Sequence, residues 1–168
     1  MKPIKVTVLK ILLCVALPAA AQQNYPATTP LPADEAVIFF AQVCTANVPK
    51  TNKAHSVLKK EDFWKRPETG TYYHPKYNLS FQITSRYGGT CSMVFASKDP
   101  PHELATGFGM VAAMTVNSID KSPEVSLDAK SNVSRVEFQE GWLFQFEPAG
   151  KTDGVAYYHA SVILKPKG

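Results

Sequence analysis

Residues 79–97 read "LSFQITSRYGGTCSMVFAS", two alternating segments about a pair of glycines. Leu79, Phe81 and Ile83 recur at every second position, and so do Cys91, Met93 and Phe95, so each half has the period of two that gives a strand one apolar face. The "YGGT" between them supplies the glycines that a tight reversal needs. The stretch predicts a β-hairpin whose second strand opens on Cys91.

Upstream, "PADEAVIFFAQVCTANVP" (32–49) carries Asp34 and Glu35 where a first helical turn favours acids, then Val37, Phe40, Val43 and Cys44 at helical spacing. Asn47 and Pro49 stop it. Cys44 is thus expected on the apolar side of an amphipathic helix, near its end. "KTNKAHSVLKKEDFWKRPE" (50–68) predicts a shorter helix around Ala54 to Trp64, broken by Pro67. Downstream, "DPPHELATGFGMVAAMTV" (99–116) predicts a third helix with Leu104, Phe108, Val111, Ala112 and Thr115 on one stripe. Three more strands are read in "SRVEFQ", "WLFQFEP" and "GVAYYHASVILK". The order α-α-β-β-α-β-β-β argues for one α+β domain, with a mainly antiparallel sheet of about five strands and helices on one face.

The first 21 residues set the expected compartment. "MKPIKVTVLKILLCVALPAAAQQ" has a basic start at Lys2, Lys5 and Lys10, a short apolar run and the small residues Ala19, Ala20 and Ala21, as a secretory signal peptide does. The apolar run is about ten residues, short of the roughly twenty that span a bilayer. Cleavage is expected after Ala21, giving a periplasmic or secreted protein with no retained membrane span. Lipidation at Cys14 is disfavoured, because Leu13 stands where a small residue is needed. Residues 22–31, "QQNYPATTPL", are rich in Pro, Thr and Gln and read as a flexible lead, with the domain over 32–168.

Removal of residues 1–21 leaves 147 of 168 residues, a size that suits one domain with one core. Three of the 18 Lys and Arg lie in that segment and none of the 14 Asp and Glu, so the net charge falls from +4 to +1. A nucleic-acid partner finds no support in that charge. Cys44 and Cys91 are then the only cysteines, and in an oxidising compartment they read as one disulfide. On the chain-entropy model, closing that loop stabilises by about 4 kcal/mol.

Catalytic and cofactor signals are weak. "GFGMVA" (107–112) has the glycine spacing of a dinucleotide fingerprint, but a Pro-Pro segment precedes it and the strands group as hairpins; small residues that let a helix approach the sheet are the better account. His74 and His159 each close a Tyr-Tyr-His tripeptide, yet no two of His55, His74, His102 and His159 have helical ligand spacing. No G-x-S-x-G elbow is present. No catalytic residue, metal or cofactor is assigned.

"KKEDFWKRPETGTYYHPKY" (59–77) interleaves cations and rings densely. Phe63, Trp64, Lys65, Arg66, Tyr72, Tyr73 and Tyr77 form the candidate interaction surface, since rings supply contact area and arginine supplies directed donors. As a surface, it requires Trp64, Tyr72 and Tyr73 to be open to solvent. The competing reading has the rings closing the end of the core under solvated lysines.

A helix ending in a cysteine, followed by "GGTC" opening a strand, behind a signal peptide, resembles the small periplasmic proteins of proteobacteria. The resemblance implies export and a disulfide and carries no activity. The leading expectation is an exported, non-enzymatic protein that binds an unknown protein or envelope component, as an inhibitor or immunity-type partner does. A domain binding a small ligand or envelope component comes second, and a small hydrolase third.

Overall fold

A computed structural model describes residues 26–47, 53–84, 89–116, 124–138 and 141–164. The expected signal peptide, its cleavage point and the turn at residues 85–88 lie outside the described residues.

Helix α1 (Ala33–Val43) begins after Pro32, with Asp34 and Glu35 in its first turn and Ala36, Phe40 and Val43 buried. The Asp99 carboxylate, 66 residues away in sequence, accepts the Ala33 N–H and so satisfies one of the donors a helix start leaves free. At the other end the Asn47 side chain donates to the Gln42 and Val43 carbonyls at 2.9 Å. Helix α2 (Ala54–Lys60) is shorter than expected. Asp62, at φ 56°, turns the chain out of it, and residues 63–65 run on as extended chain rather than helix.

The strands are β1 (Trp64–Lys65), β2 (Tyr72–Tyr73), β3 (Leu79–Thr84), β4 (Thr90–Ser97), β5 (Glu124–Asp128), β6 (Val133–Glu137), β7 (Trp142–Thr152) and β8 (Val155–Leu164), with α3 (Pro101–Val116) between β4 and β5. They form one antiparallel sheet of eight strands, in the order β1-β2-β3-β4-β8-β7-β6-β5. The architecture is α+β, as read from the sequence, but the sheet has eight strands rather than about five. The three additional strands are β1 and β2, of two residues each, and β5, whose five residues are all exposed. Two residues are too few to carry a period, and the short alternation of β5 is not backed by burial.

Register aligns the apolar parity across the sheet. Phe81, Met93, Ala160, Phe146 and Ser134 lie opposite one another in succession, and so do Ile83, Cys91, Val162, Phe144 and Val136. Helices α1 and α3 cover this face. Phe40 of α1 meets Phe144 at 5.6 Å between ring centroids, and Phe108 of α3 stacks on Phe146 at 4.9 Å. Each of these rings is buried, and burial of one such side chain contributes roughly 1.5–3 kcal/mol.

Cys44 and Cys91 are joined, with Cα atoms 5.5 Å apart, so the disulfide ties the end of α1 to β4. Thr29 and Leu31, just ahead of Pro32, are also tied down. Leu31 is buried and donates its N–H to the Ala96 carbonyl at 2.7 Å, while Thr29 bridges to Tyr77. The packed domain therefore takes in residues of the segment expected to be a flexible lead.

Candidate functional site

The aromatic and basic segment divides in two. In β1 and β2, Trp64 pairs with Tyr73 and Lys65 with Tyr72, and the two-residue period sends neighbours to opposite faces. Tyr72 also pairs with Phe81, which places it on the core face. Its hydroxyl meets His55 Nδ1 at 2.9 Å, and the Lys65 ammonium lies 5.2 Å from its ring centre. Phe63 packs edge-on against Phe39 and Phe81, and Tyr77 donates from its hydroxyl to Glu35 at 3.0 Å. Phe63, Tyr72 and Tyr77 are thus buried, contrary to the expectation of an open Tyr72 ring. Trp64, Arg66 and Tyr73 form the outer part, while Lys65, exposed, lies on the Tyr72 side. Trp64 is 40% exposed, its ring lies 6.0 Å from that of Tyr73, and the Arg66 guanidinium is 5.6 Å from the Tyr73 centroid.

The histidines serve separate places. His74 Nδ1 accepts the backbone N–H groups of Lys76 at 3.1 Å and Tyr77 at 3.0 Å, which leaves the proton of the neutral ring on Nε2. Burial lowers the His74 pKa and the nearby Lys76 adds to this, against Glu35 and Glu61, which raise it. Burial likewise lowers the His55 pKa, with Lys65 contributing. His159 Nδ1 lies 3.3 Å from Glu147 Oε1, and Gln145 donates to the other oxygen of Glu147 at 2.7 Å. Strands β3 and β4 stand between the two Tyr-Tyr-His tripeptides, so they do not meet at one ligand. Among the described residues no three His, Cys, Asp or Glu side chains converge as a metal site would require.

The feature that sequence reasoning missed lies at the far edge of the sheet. Helix α3 presses Leu104, Ala105, Phe108 and Ala112 inward. Gly107 faces α1, where an added Cβ would sit 3.1 Å from Val37, and Gly109 faces β6, where one would sit 3.3 Å from Ser134 Oγ. Ser134 in turn donates to the Ala105 carbonyl at 2.6 Å. Both glycines of "GFG" therefore lie inside a helix at close approaches to its neighbours, and neither opens a phosphate-binding loop.

With α3 seated over β6, β5 lies at the margin of the helix layer. Val125 and Leu127 of β5 pair with Val136 and Ser134, so they belong to the covered face, yet each is 53% exposed. Met110 of α3, which lines the space facing β5, is 60% exposed, and Met114, one turn further along the helix, is 70% exposed. Between them runs an open groove of about 190 Å³ lined by Ala105, Gly109, Met110, Ala113, Val125 and Leu127. The signal was present as the alternation of "EVSLD" and the i, i+4 methionines, but five exposed residues and two thioethers do not reveal burial or its absence without the fold.

Comparison with family models, with curated proteins and with solved structures finds no match for this chain. Among the described residues no helix is long and apolar enough to cross a membrane.

Proposed function

We propose that the chain is an exported, non-enzymatic binding protein that docks another protein in the groove between α3 and β5, in the manner of an inhibitor or immunity-type partner. One observation carries this: Met110, Val125 and Leu127, three large apolar side chains each more than half exposed, line a single concavity, and Met114, also exposed, follows Met110 one turn along α3. Adjoining apolar surface of this kind marks docking sites, and methionine adapts its shape to a partner at little cost. Trp64, Tyr73 and Arg66, at the opposite sheet edge, offer a second surface of the type that interface anchors use.

Export is supported by the signal-like first 21 residues together with the disulfide, a bond that persists in oxidising compartments. Several titratable side chains are engaged in holding the fold, which fits the binding reading. His74 secures a turn, His55 meets Tyr72, and Tyr77 bonds Glu35.

Lysine at position 114 or 127 tests the proposal. Met114→Lys and Leu127→Lys each place a charge on a side chain already exposed, so melting temperatures should stay near wild type while partner capture from extracts of producing cells falls. Undiminished capture by both variants would refute the groove as the docking surface.

A further inference from the structure

From this docking reading, we infer that the partner supplies an extended segment that pairs with the free edge of β5, with apolar residues at alternate positions in the groove and a basic residue opposite each of Glu124 and Asp128. Strand β5 is outermost in the sheet and pairs on one side only, with β6. Among the described residues no strand lies beyond it. Alternate N–H and C=O groups of an edge strand point away from its neighbour, so β5 offers a backbone template as well as an apolar wall. The opposite edge, β1, is only two residues long and offers far less.

The side-chain pattern of β5, "EVSLD", specifies what fits. Val125 and Leu127 stand on the groove side, and Glu124, Ser126 and Asp128 on the other. A segment laid antiparallel with its centre opposite Ser126 would place its second and fourth residues beside Leu127 and Val125, extending that apolar wall beyond β5. Its first and fifth residues would face Asp128 and Glu124. Two carboxylates four residues apart therefore call for Lys or Arg four residues apart, with apolar residues between: basic, apolar, any, apolar, basic. Opposite charges directly across a pair of strands stabilise it and like charges oppose it.

The same charges argue against a second copy of this chain as the occupant. Self-pairing of β5 about Ser126 sets Glu124 of each copy against Asp128 of the other, two like-charge pairs in five residues. Asp128 is held as an anion by N–H groups of Lys130 and Ser131 and by the Ser131 hydroxyl at 2.7 Å. Acidic ends on a short edge strand are a recognised guard against self-association, and they leave the edge open to a basic segment.

A display library of roughly seven-residue peptides, selected on the oxidised wild-type protein and counter-screened on Leu127→Lys and Met110→Lys, tests the inference. Enriched peptides should carry apolar residues two apart between Lys or Arg residues four apart, bind both variants at least about tenfold more weakly, and slow hydrogen exchange of alternate β5 amides. Selection on Glu124→Lys should replace one basic flank with an acidic one. Peptides that need the groove but show helical spacing and leave β5 exchange unchanged would overturn strand pairing while leaving groove docking standing. No enrichment on wild type over the two variants would overturn both.

Discussion

Cys44, at the C-terminal end of α1, and Cys91, the second residue of β4, are bonded with their Cα atoms 5.5 Å apart, and both are fully buried. The bond spans 47 positions and joins the helix layer to the centre of the sheet. Replacing both cysteines by alanine should cost about 2–5 kcal/mol of unfolding free energy, read from denaturant midpoints. An unchanged midpoint would mean that the packing of Phe40 and Val43 alone secures α1.

The division of the aromatic segment gives a second expectation. Tyr72→Ala empties a buried site and breaks the contact with His55, so it should cost about 3–5 kcal/mol, as large-to-small changes at buried rings do. Trp64→Ala, at a side chain 40% exposed, should cost no more than about 1 kcal/mol. Thermal melts of the two variants decide the matter, and equal losses would assign Trp64 to the core as well.

Acid sensitivity follows from His55 and His74. Burial lowers both pKa values below the ordinary 6.5, so between the folded value and 6.5 the unfolded chain binds more protons. Stability is then fully present above pH 6.5 and declines as pH falls through the window below it. For His74 the loss has a structural counterpart, because a proton on Nδ1 would confront the two backbone N–H groups it now accepts. Melting temperature should fall between pH 7.5 and 5.5, and the double variant His55→Gln, His74→Gln should flatten that dependence. A wild-type profile already flat over this range would contradict the assignment.

What the sequence disclosed tracks how strongly each element depends on its own residues. Helix α1, the antiparallel pairing of β3 with β4 and the cysteine pair were legible, because helical spacing, alternation and the count of cysteines are local signals. Strands β1 and β2 were not. Two residues carry no period, and the pairing of Trp64 with Tyr73 and of Tyr72 with Phe81 exists only once β3 is in place. Composition therefore flagged the aromatic segment while misplacing Phe63, Tyr72 and Tyr77, since alternate rings go to opposite faces. The α3 groove was hidden for a related reason. Met110 and Met114 fit a buried stripe equally well, and only the close seating of Gly109 on Ser134 shows where the helix layer ends.

Photo-crosslinking from position 114 tests the central claim most directly. A benzophenone amino acid replacing Met114, 70% exposed and one turn beyond the groove-lining Met110, should give in producing cells a discrete adduct with a second protein upon irradiation. The same probe at Thr152, in the exposed end of β7, should give none. Leu127→Lys introduced together with the Met114 probe should abolish the adduct. No adduct from position 114, or one that persists unchanged with Leu127→Lys, would contradict a docking role for the groove between α3 and β5.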